Sequence, residues 1–350
     1  MANVQKQFEE FHKNIRLGRF DQEATLRDKR DIIRRKLEEN LPTVFEKYGE
    51  ECPEFYFEDQ GSYEMGTGTK PPGGDYDIDQ GLYMKVKRDD HPDPVVLKKR
   101  VHEALEGHTD DVCIRRPCVT VFYHKAGERI YHVDIAVYSD GSQNTDGKDY
   151  LALGREHSSD ENRYWEVSNP KALADEIFRR FLDEADRAQL RRNIRYLKRW
   201  KDHKFAAHGN AAPLGIGLTV AASKWLQPFY TDVFARKPDD LRALRDLVST
   251  MLKYFTLTYH DGEWVCRLAV RLPVEPWNDL FERMTNKQMA AFEEKLKALK
   301  DALDDAADEA DPVEACETLR KQFGDDFPVP EKSETAQKRS RAIVSSSESA

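Results

Sequence analysis

The chain has 350 residues, 39% of them hydrophobic and 34% charged, and a formal net charge of −9. That length and balance suit a soluble protein with a substantial core, built as one two-lobed enzyme or as two domains. No apolar run approaches the roughly 18 residues needed to span a bilayer, and the acidic surplus argues against a constitutive, sequence-blind grip on nucleic acid.

The first ten residues, M-A-N-V-Q-K-Q-F-E-E, carry no apolar signal core. The five cysteines, Cys52, Cys113, Cys118, Cys266 and Cys316, are odd in number and widely spaced. Reduced thiols in a cytoplasmic protein are expected, not a disulfide framework or a zinc site.

In chain order, a short helix is predicted within residues 1–20 and a longer one over 22–48. In the second, Leu26, Ile33, Leu37 and Leu41 recur at near-helical spacing, and Pro42 should kink or interrupt it. Residues 76–86 read as a strand and 94–107 as a surface helix. A hairpin follows. Val119 to His124 alternates, Ala126-Gly127 makes the turn, and Ile130 to Tyr138 alternates again. On that last strand Tyr131, Val133, Ile135 and Val137 share one face, and His132, Asp134 and Ala136 share the other.

After a polar loop at 139–148 the pattern becomes helical, over 171–203, 213–230, 240–257 and 285–308. A small hairpin is expected around 259–271, turning at Asp261-Gly262. The acidic end of the 285–308 helix reads as a solvated face. From Phe327 the chain turns Pro-, Ser- and charge-rich, and disorder is expected over 330–350. These features divide the chain into a core lobe at 1–150, a helical lobe at 151–326 and a tail at 327–350.

The chemistry is concentrated between Gln60 and Met84, Q-G-S-Y-E-M-G-T-G-T-K-P-P-G-G-D-Y-D-I-D-Q-G-L-Y-M. Asp75, Asp77 and Asp79 alternate, so on a strand they point the same way, while Ile78 faces the core. Three like charges on one face are tolerated when solvated or when they hold a cation. Asp134, flanked by Val133 and Ile135 on a later apolar strand, needs a partner of its own. If the two strands are neighbours, Asp134 joins Asp77 and Asp79, and the three oxygen donors suit one or two Mg2+ ions. Two such ions serve a phosphoryl-type displacement. Gly61 lets the backbone approach a phosphate, and Ser62 opens a short helix whose N–H groups favour an anion. A Gly-Ser pair or an Asp-x-Asp pair alone also fits an ordinary turn or a solvated strand end. The combination is what points to nucleotidyl transfer.

The run Q-G-S-Y, T-K-P-P, D-I-D-Q-G-L-Y-M, H-V-D-I-A-V-Y and then L-R-R-N-I-R-Y-L-K-R-W-K-D resembles the DNA polymerase β-type nucleotidyltransferases. Within them it is most similar to the bacterial CD-NTases, relatives of animal cyclic GMP-AMP synthase, and to their dinucleotide cyclase subgroup. The resemblance covers about residues 20–270. It implies an α+β fold with a mixed-sheet nucleotidyltransferase lobe and a helical second lobe. It implies Asp77, Asp79 and Asp134 as catalytic metal ligands for two Mg2+ ions (Mn2+ as a substitute), and it makes Asp75 the odd one out. It also implies Gln60, Gly61 and Ser62 at the nucleotide and Lys198 at the triphosphate.

Lys198 has support of its own. It borders the Leu190, Ile194, Leu197 stripe, where a long stem can cross the helix and reach a cleft. Lys201 is a second candidate. After Pro213 the chain departs from the family pattern. Leu214 and Gly215 stand where a small hydroxyl residue is usual, leaving Thr219 or the backbone to serve. Arg115 and Arg116 could reach a base or phosphate, or lie on the surface, and Tyr63 and Tyr123 suit packing better than base stacking.

The resemblance implies a synthase that joins ATP, GTP or both into a cyclic di- or trinucleotide messenger in antiphage defence, with release of pyrophosphate. Alternatives from the same residues are a linear polymerase acting on RNA ends or making oligoadenylate, and a non-catalytic nucleotide-binding scaffold. Some relatives are conjugated through their C-terminus by ubiquitin-transfer-like partners, and the S-S-S-E-S-A ending could present Ala350 in that way.

Overall fold

The computed structural model describes residues 2–17, 22–72, 76–206 and 211–332, with the backbone alone for 22–26. The chain opens with α1 (Gln5–Ile15) and α2 (Gln22–Lys47). The helix α2 continues through Pro42 instead of ending there. Leu41, Val44 and Phe45 around it are buried, so packing against the sheet holds the helix past the lost N–H. Ile33, Leu37 and Leu41 form the expected stripe; the side chain of Leu26 lies outside the described ones.

There follow β1 (Phe55–Asp59), α3 (Gly61–Glu64), β2 (Tyr76–Met84), α4 (Val95–Ala104), β3 (Val112–Ile114), β4 (Val119–Lys125), β5 (Glu128–Ser139), β6 (Tyr150–Leu153) and β7 (Tyr164–Val167). The sheet order is β1-β2-β5-β4-β3, and β6 pairs with β5 and then with β7. Only the β2–β5 pairing is parallel, so the sheet is mixed. One face carries Ile78, Leu82, Val133, Ile135 and Val137 into a core shared with α2 and α4. Alternation then forces Asp77, Asp79, His132 and Asp134 onto the other face. The β4–β5 turn has φ 53° at Ala126 and 83° at Gly127, the conformation that matches the twist of a two-residue hairpin.

The second lobe contains α5 (Pro170–Arg179), α6 (Glu184–Lys204), α7 (Gly215–Trp225), β8 (Tyr230–Asp232), β9 (Lys237–Pro238), α8 (Asp240–Lys253), β10 (Phe255–His260), β11 (Glu263–Leu268), α9 (Asn286–Asp308) and α10 (Pro312–Phe323). The single helical pattern over 171–203 is two helices, because the Asp183 side chain caps a new start by accepting from Ala185 N. The hairpin turn at Asp261-Gly262 is as expected. A buried carboxylate locks α6 to α8. Asp240, with no exposed surface, accepts from Arg192 at 2.6 and 2.9 Å, from Gln189 at 2.9 Å and from the Tyr196 hydroxyl at 3.0 Å.

Three boundaries differ from those expected. The sheet runs past residue 150 to Val167, so the first lobe ends near Asn169. The helix α1 packs in the helical lobe, where Phe8 and Phe11 lie 5.2 and 5.3 Å from Tyr196. Phe327, taken from the sequence as the first tail residue, is fully buried against Phe8, Phe11 and Phe323. Residues 333–350, including Ala350, lie outside the described residues. All five cysteines are free. No helix among the described residues is long and apolar enough to cross a membrane.

Candidate active site

The site starts from a register. On the parallel strands β2 and β5, Asp79 stands directly beside Asp134, and Asp77 beside His132. The two aspartates expected to cooperate are therefore neighbours on the face turned away from the sheet's core. Asp75 lies outside the described residues. Asp77 is exposed, while Asp79 and Asp134 are half-buried. Burial, and then the charges of Asp77 and Asp134, push the Asp79 carboxyl up to about 7, with Lys198 and His132 opposing the shift. Asp134 is held from the adjacent strand: Thr120, fully buried, donates a 2.5 Å hydrogen bond to its Oδ1. His132 Nε2 lies 3.9 Å from the other carboxylate oxygen.

The Gly-Ser turn meets this face. Gly61 begins the four-residue helix α3 with φ +65°. A Cβ there would sit 1.8 Å from Asp79 Oδ2. Only glycine permits that approach, which explains the residue in terms of space as well as backbone angle. Gln60 is buried, with its amide between two tyrosines: Nε2 donates to the Tyr83 hydroxyl at 3.0 Å and Oε1 accepts from Tyr138 at 3.3 Å.

The second lobe supplies cations. Lys198 projects from α6 toward the loop after α3, its Nζ 3.3 Å from the carbonyl of Thr67 and 3.4 Å from its hydroxyl. Burial lowers its pKa to about 8, with the Asp77 charge resisting and Lys201 and Arg195 reinforcing the drop. The same helix grips that loop at other points. Arg195 donates to the carbonyls of Gly66 and Gly68, and Arg199 donates to that of Lys70 at 2.7 Å.

Two adjoining chambers result. The first, about 390 Å³, is bordered by Gly61, Ser62, Asp77, Asp79, Lys198 and Lys201. The second, about 340 Å³, holds Gln60, Asp134 and Tyr138, and shares Gly61 and Asp79 with the first. Thr219 borders the first chamber but spends its hydroxyl on the Gly215 carbonyl at 3.0 Å, beside the start of α7. Lys201 forms a 3.0 Å pair with Asp202.

Other candidates are placed elsewhere. Arg115 lies over Phe122, and Arg116 donates to the Tyr164 hydroxyl at 2.7 Å. Tyr63 sits beneath Arg30, and Tyr123 packs on Tyr131. None of these four borders either chamber. Among the described residues no three His, Cys, Asp or Glu side chains are gathered into a ready-made metal cage. The donor set nevertheless suits a hard cation. Three carboxylates share one cleft face, and the charges of Asp77 and Asp134 add to burial in raising the Asp79 carboxyl, a repulsion that a cation would relieve. Sequence reasoning missed Thr120, whose signal was a hydroxyl among the apolar residues Val119, Val121 and Phe122 that open β4.

A mixed sheet with paired carboxylates, a Gly-Ser turn against them and a helical lobe bringing lysines across the cleft together define a two-lobed nucleotidyltransferase fold. Residues 55–138 match the family model described as cyclic GMP-AMP synthase DncV-like, nucleotidyltransferase domain. That match covers the strands β1 to β5 that carry the paired carboxylates. A curated Cyclic GMP-AMP synthase of Escherichia albertii is 31% identical over 172 residues, covering 46% of this chain and 35% of that protein. The matched part thus spans about a third of that relative's length. The apo crystal structure of Vibrio cholerae DncV superposes with a TM-score of 0.69 at 18% identity, covering 93% of this chain and 96% of that one. The Bradyrhizobium diazoefficiens CD-NTase CdnG in complex with GTP gives 0.65 at 17% identity, with the same two coverages. At these identities the likeness establishes the fold.

Proposed function

We propose that this chain joins nucleoside triphosphates into a cyclic di- or trinucleotide and releases pyrophosphate. The observation that carries this reading is the pairing of Asp79 with Asp134 across parallel strands, with Asp79 also bordering the chamber that holds Lys198. Vibrio cholerae DncV, which shares the fold, is described as a cyclic AMP-GMP synthase in complex with a linear intermediate, 5′ pppA(3′,5′)pG. A linear intermediate is what a two-step ring closure requires.

Each residue then has a task. Lys198 and Lys201 bind the triphosphate in the first chamber, and the Gly61-Ser62 turn lets backbone N–H groups approach it. Asp134, oriented by Thr120, faces the second chamber and positions the attacking ribose hydroxyl. Gln60, pinned by Tyr83 and Tyr138, sets the chamber floor. Asp77, Asp79 and Asp134 would hold two Mg2+ ions, whose chemistry when bound is to acidify the attacking hydroxyl and neutralise charge on the departing pyrophosphate. By family resemblance the product is a second messenger of antiphage defence made in the cytoplasm, and a ubiquitin-transfer-like partner acting on Ala350 would regulate it.

Incubation with all four labelled NTPs and Mg2+, followed by mass spectrometry of the products, tests the reading. Cyclic product is expected. Exclusively linear product, or extension of added RNA, would replace it with a polymerase. The double variant Asp77→Asn/Asp79→Asn should keep the circular dichroism spectrum and lose all product.

A further inference from the structure

The two chambers differ in charge. The first is bordered by Lys198 and Lys201, whereas none of the residues bordering the second is a lysine, arginine or histidine. The second carries the carboxylates of Asp79, Asp134, Glu64, Glu166 and Glu275 instead. A triphosphate would be repelled there, so this chamber suits the uncharged end of a nucleotide. Its volume of about 340 Å³ leaves room for a base with its sugar.

The carboxylates are not equivalent. Asp79 and Asp134 belong to the reacting centre. Glu64 is exposed on α3. Glu275 is paired with Lys148 at 2.8 Å. Glu166 remains. It has no hydrogen-bond or ion-pair partner among the described residues, and it is only partly exposed.

The register of the sheet directs Glu166 at the same cleft. Asp134, Ala136 and Tyr138 alternate along one face of β5; Tyr138 pairs with Leu151 on β6, and Leu151 pairs with Glu166 on β7. All five border the chamber. Glu166 thus stands on the reacting face, about 13 Å along β5 from Asp134 and about 9.5 Å across two strand spacings. Side chains reaching inward from both ends leave a gap on the scale of one nucleoside.

We propose that Glu166 selects the base in this chamber, and that the base is guanine. A carboxylate offers two acceptors and no donor. On its Watson–Crick edge guanine presents two adjacent donors, N1–H and the N2 amino group. Adenine and cytosine place a ring acceptor beside their amino donor, and uracil flanks one N–H with two carbonyls. Guanine alone meets both carboxylate oxygens without a repulsive contact. This assignment rests on the reading of the cleft as a nucleotidyl-transfer site.

Two measurements test it. In the first, wild-type protein and Glu166→Gln receive equimolar ATP, GTP, CTP and UTP with Mg2+, and the base composition of the product is determined. Guanine is expected in wild-type product, and its share should fall about tenfold or more in the variant, as loss of a bidentate base contact implies. Wild-type product without guanine, or an unchanged guanine share in Glu166→Gln, overturns the assignment while leaving nucleotidyl transfer intact. In the second, equilibrium binding of guanosine and adenosine is compared in both proteins without turnover. A guanosine preference present in wild type and lost in Glu166→Gln supports the assignment even if no product forms and the catalytic reading fails. Equal binding of both nucleosides by wild type overturns it.

Discussion

Thr120 and Asp134 face each other across the antiparallel strands β4 and β5, and the threonine hydroxyl donates to the carboxylate at 2.5 Å. That bond fixes one oxygen of Asp134, and His132 Nε2 lies 3.9 Å from the other. Thr120→Val keeps the shape and removes the donor. It should lower kcat about tenfold, the equivalent of about 1.4 kcal/mol at the transition state, with little change in KM. Thr120→Ser should restore most of the rate. Steady-state kinetics on the three proteins, with thermal melts alongside, checks this.

Gly61→Ala would drive a methyl group into the Asp79 carboxylate at a backbone φ of +65°. Asp79 must move. A displacement on the order of 1 Å at a reacting centre costs about 100-fold in rate, while the strained angle costs on the order of 1–2 kcal/mol of stability. The expected protein is folded, slightly less stable and nearly inactive, as activity assays and urea denaturation would show.

Lys198 is cationic below its lowered pKa of about 8 and neutral above it. A neutral amine holds a triphosphate poorly, so KM for nucleotide should rise as pH climbs through 8. Lys198→Arg, charged throughout this range, should lose that dependence even if its overall rate is lower. Measuring KM from pH 7 to 9.5 in both proteins separates this from a general loss of activity.

Asp240 is fully buried and neutralises Arg192. Replacing it with asparagine leaves a guanidinium uncompensated between α6 and α8, at a cost of about 3–5 kcal/mol. Replacing both residues with leucine should cost less than either single change, because no unpaired charge remains. Urea denaturation of the three variants decides it.

The sequence made the aspartates readable and obscured their surroundings. Alternation has a period of two, so Asp77 and Asp79 could be assigned to one face and Ile78 to the other without coordinates. The register of Thr120 could not. A two-residue turn at Ala126-Gly127 pairs Lys125 with Glu128 and His124 with Arg129, and unbroken counting would then set Thr120 against Val133. An irregularity between Tyr123 and His124 shifts the ladder by one residue and brings Asp134 opposite instead. Nothing local announces that bulge. The four-residue strands β6 and β7 were missed for a related reason: they are too short for periodicity to show. With them went Glu166 and the true end of the first lobe. Phe327 was misplaced because its polar neighbours outweighed one aromatic whose partners, Phe8 and Phe11, lie more than three hundred residues earlier.

The helix α6 holds the carbonyls of Gly66, Thr67, Gly68 and Lys70 through Arg195, Lys198 and Arg199. The segment after the Gly-Ser turn, although encoded with the sheet, is thereby fastened to the helical lobe. The spacing between that turn and Lys198 is set by these fastenings, so on the proposed reading the first chamber would be a fixed gauge for a triphosphate. The Asp134 side of the cleft carries none of these fastenings. On the proposed reading, a linear product would turn there before ring closure while the triphosphate grip stays fixed.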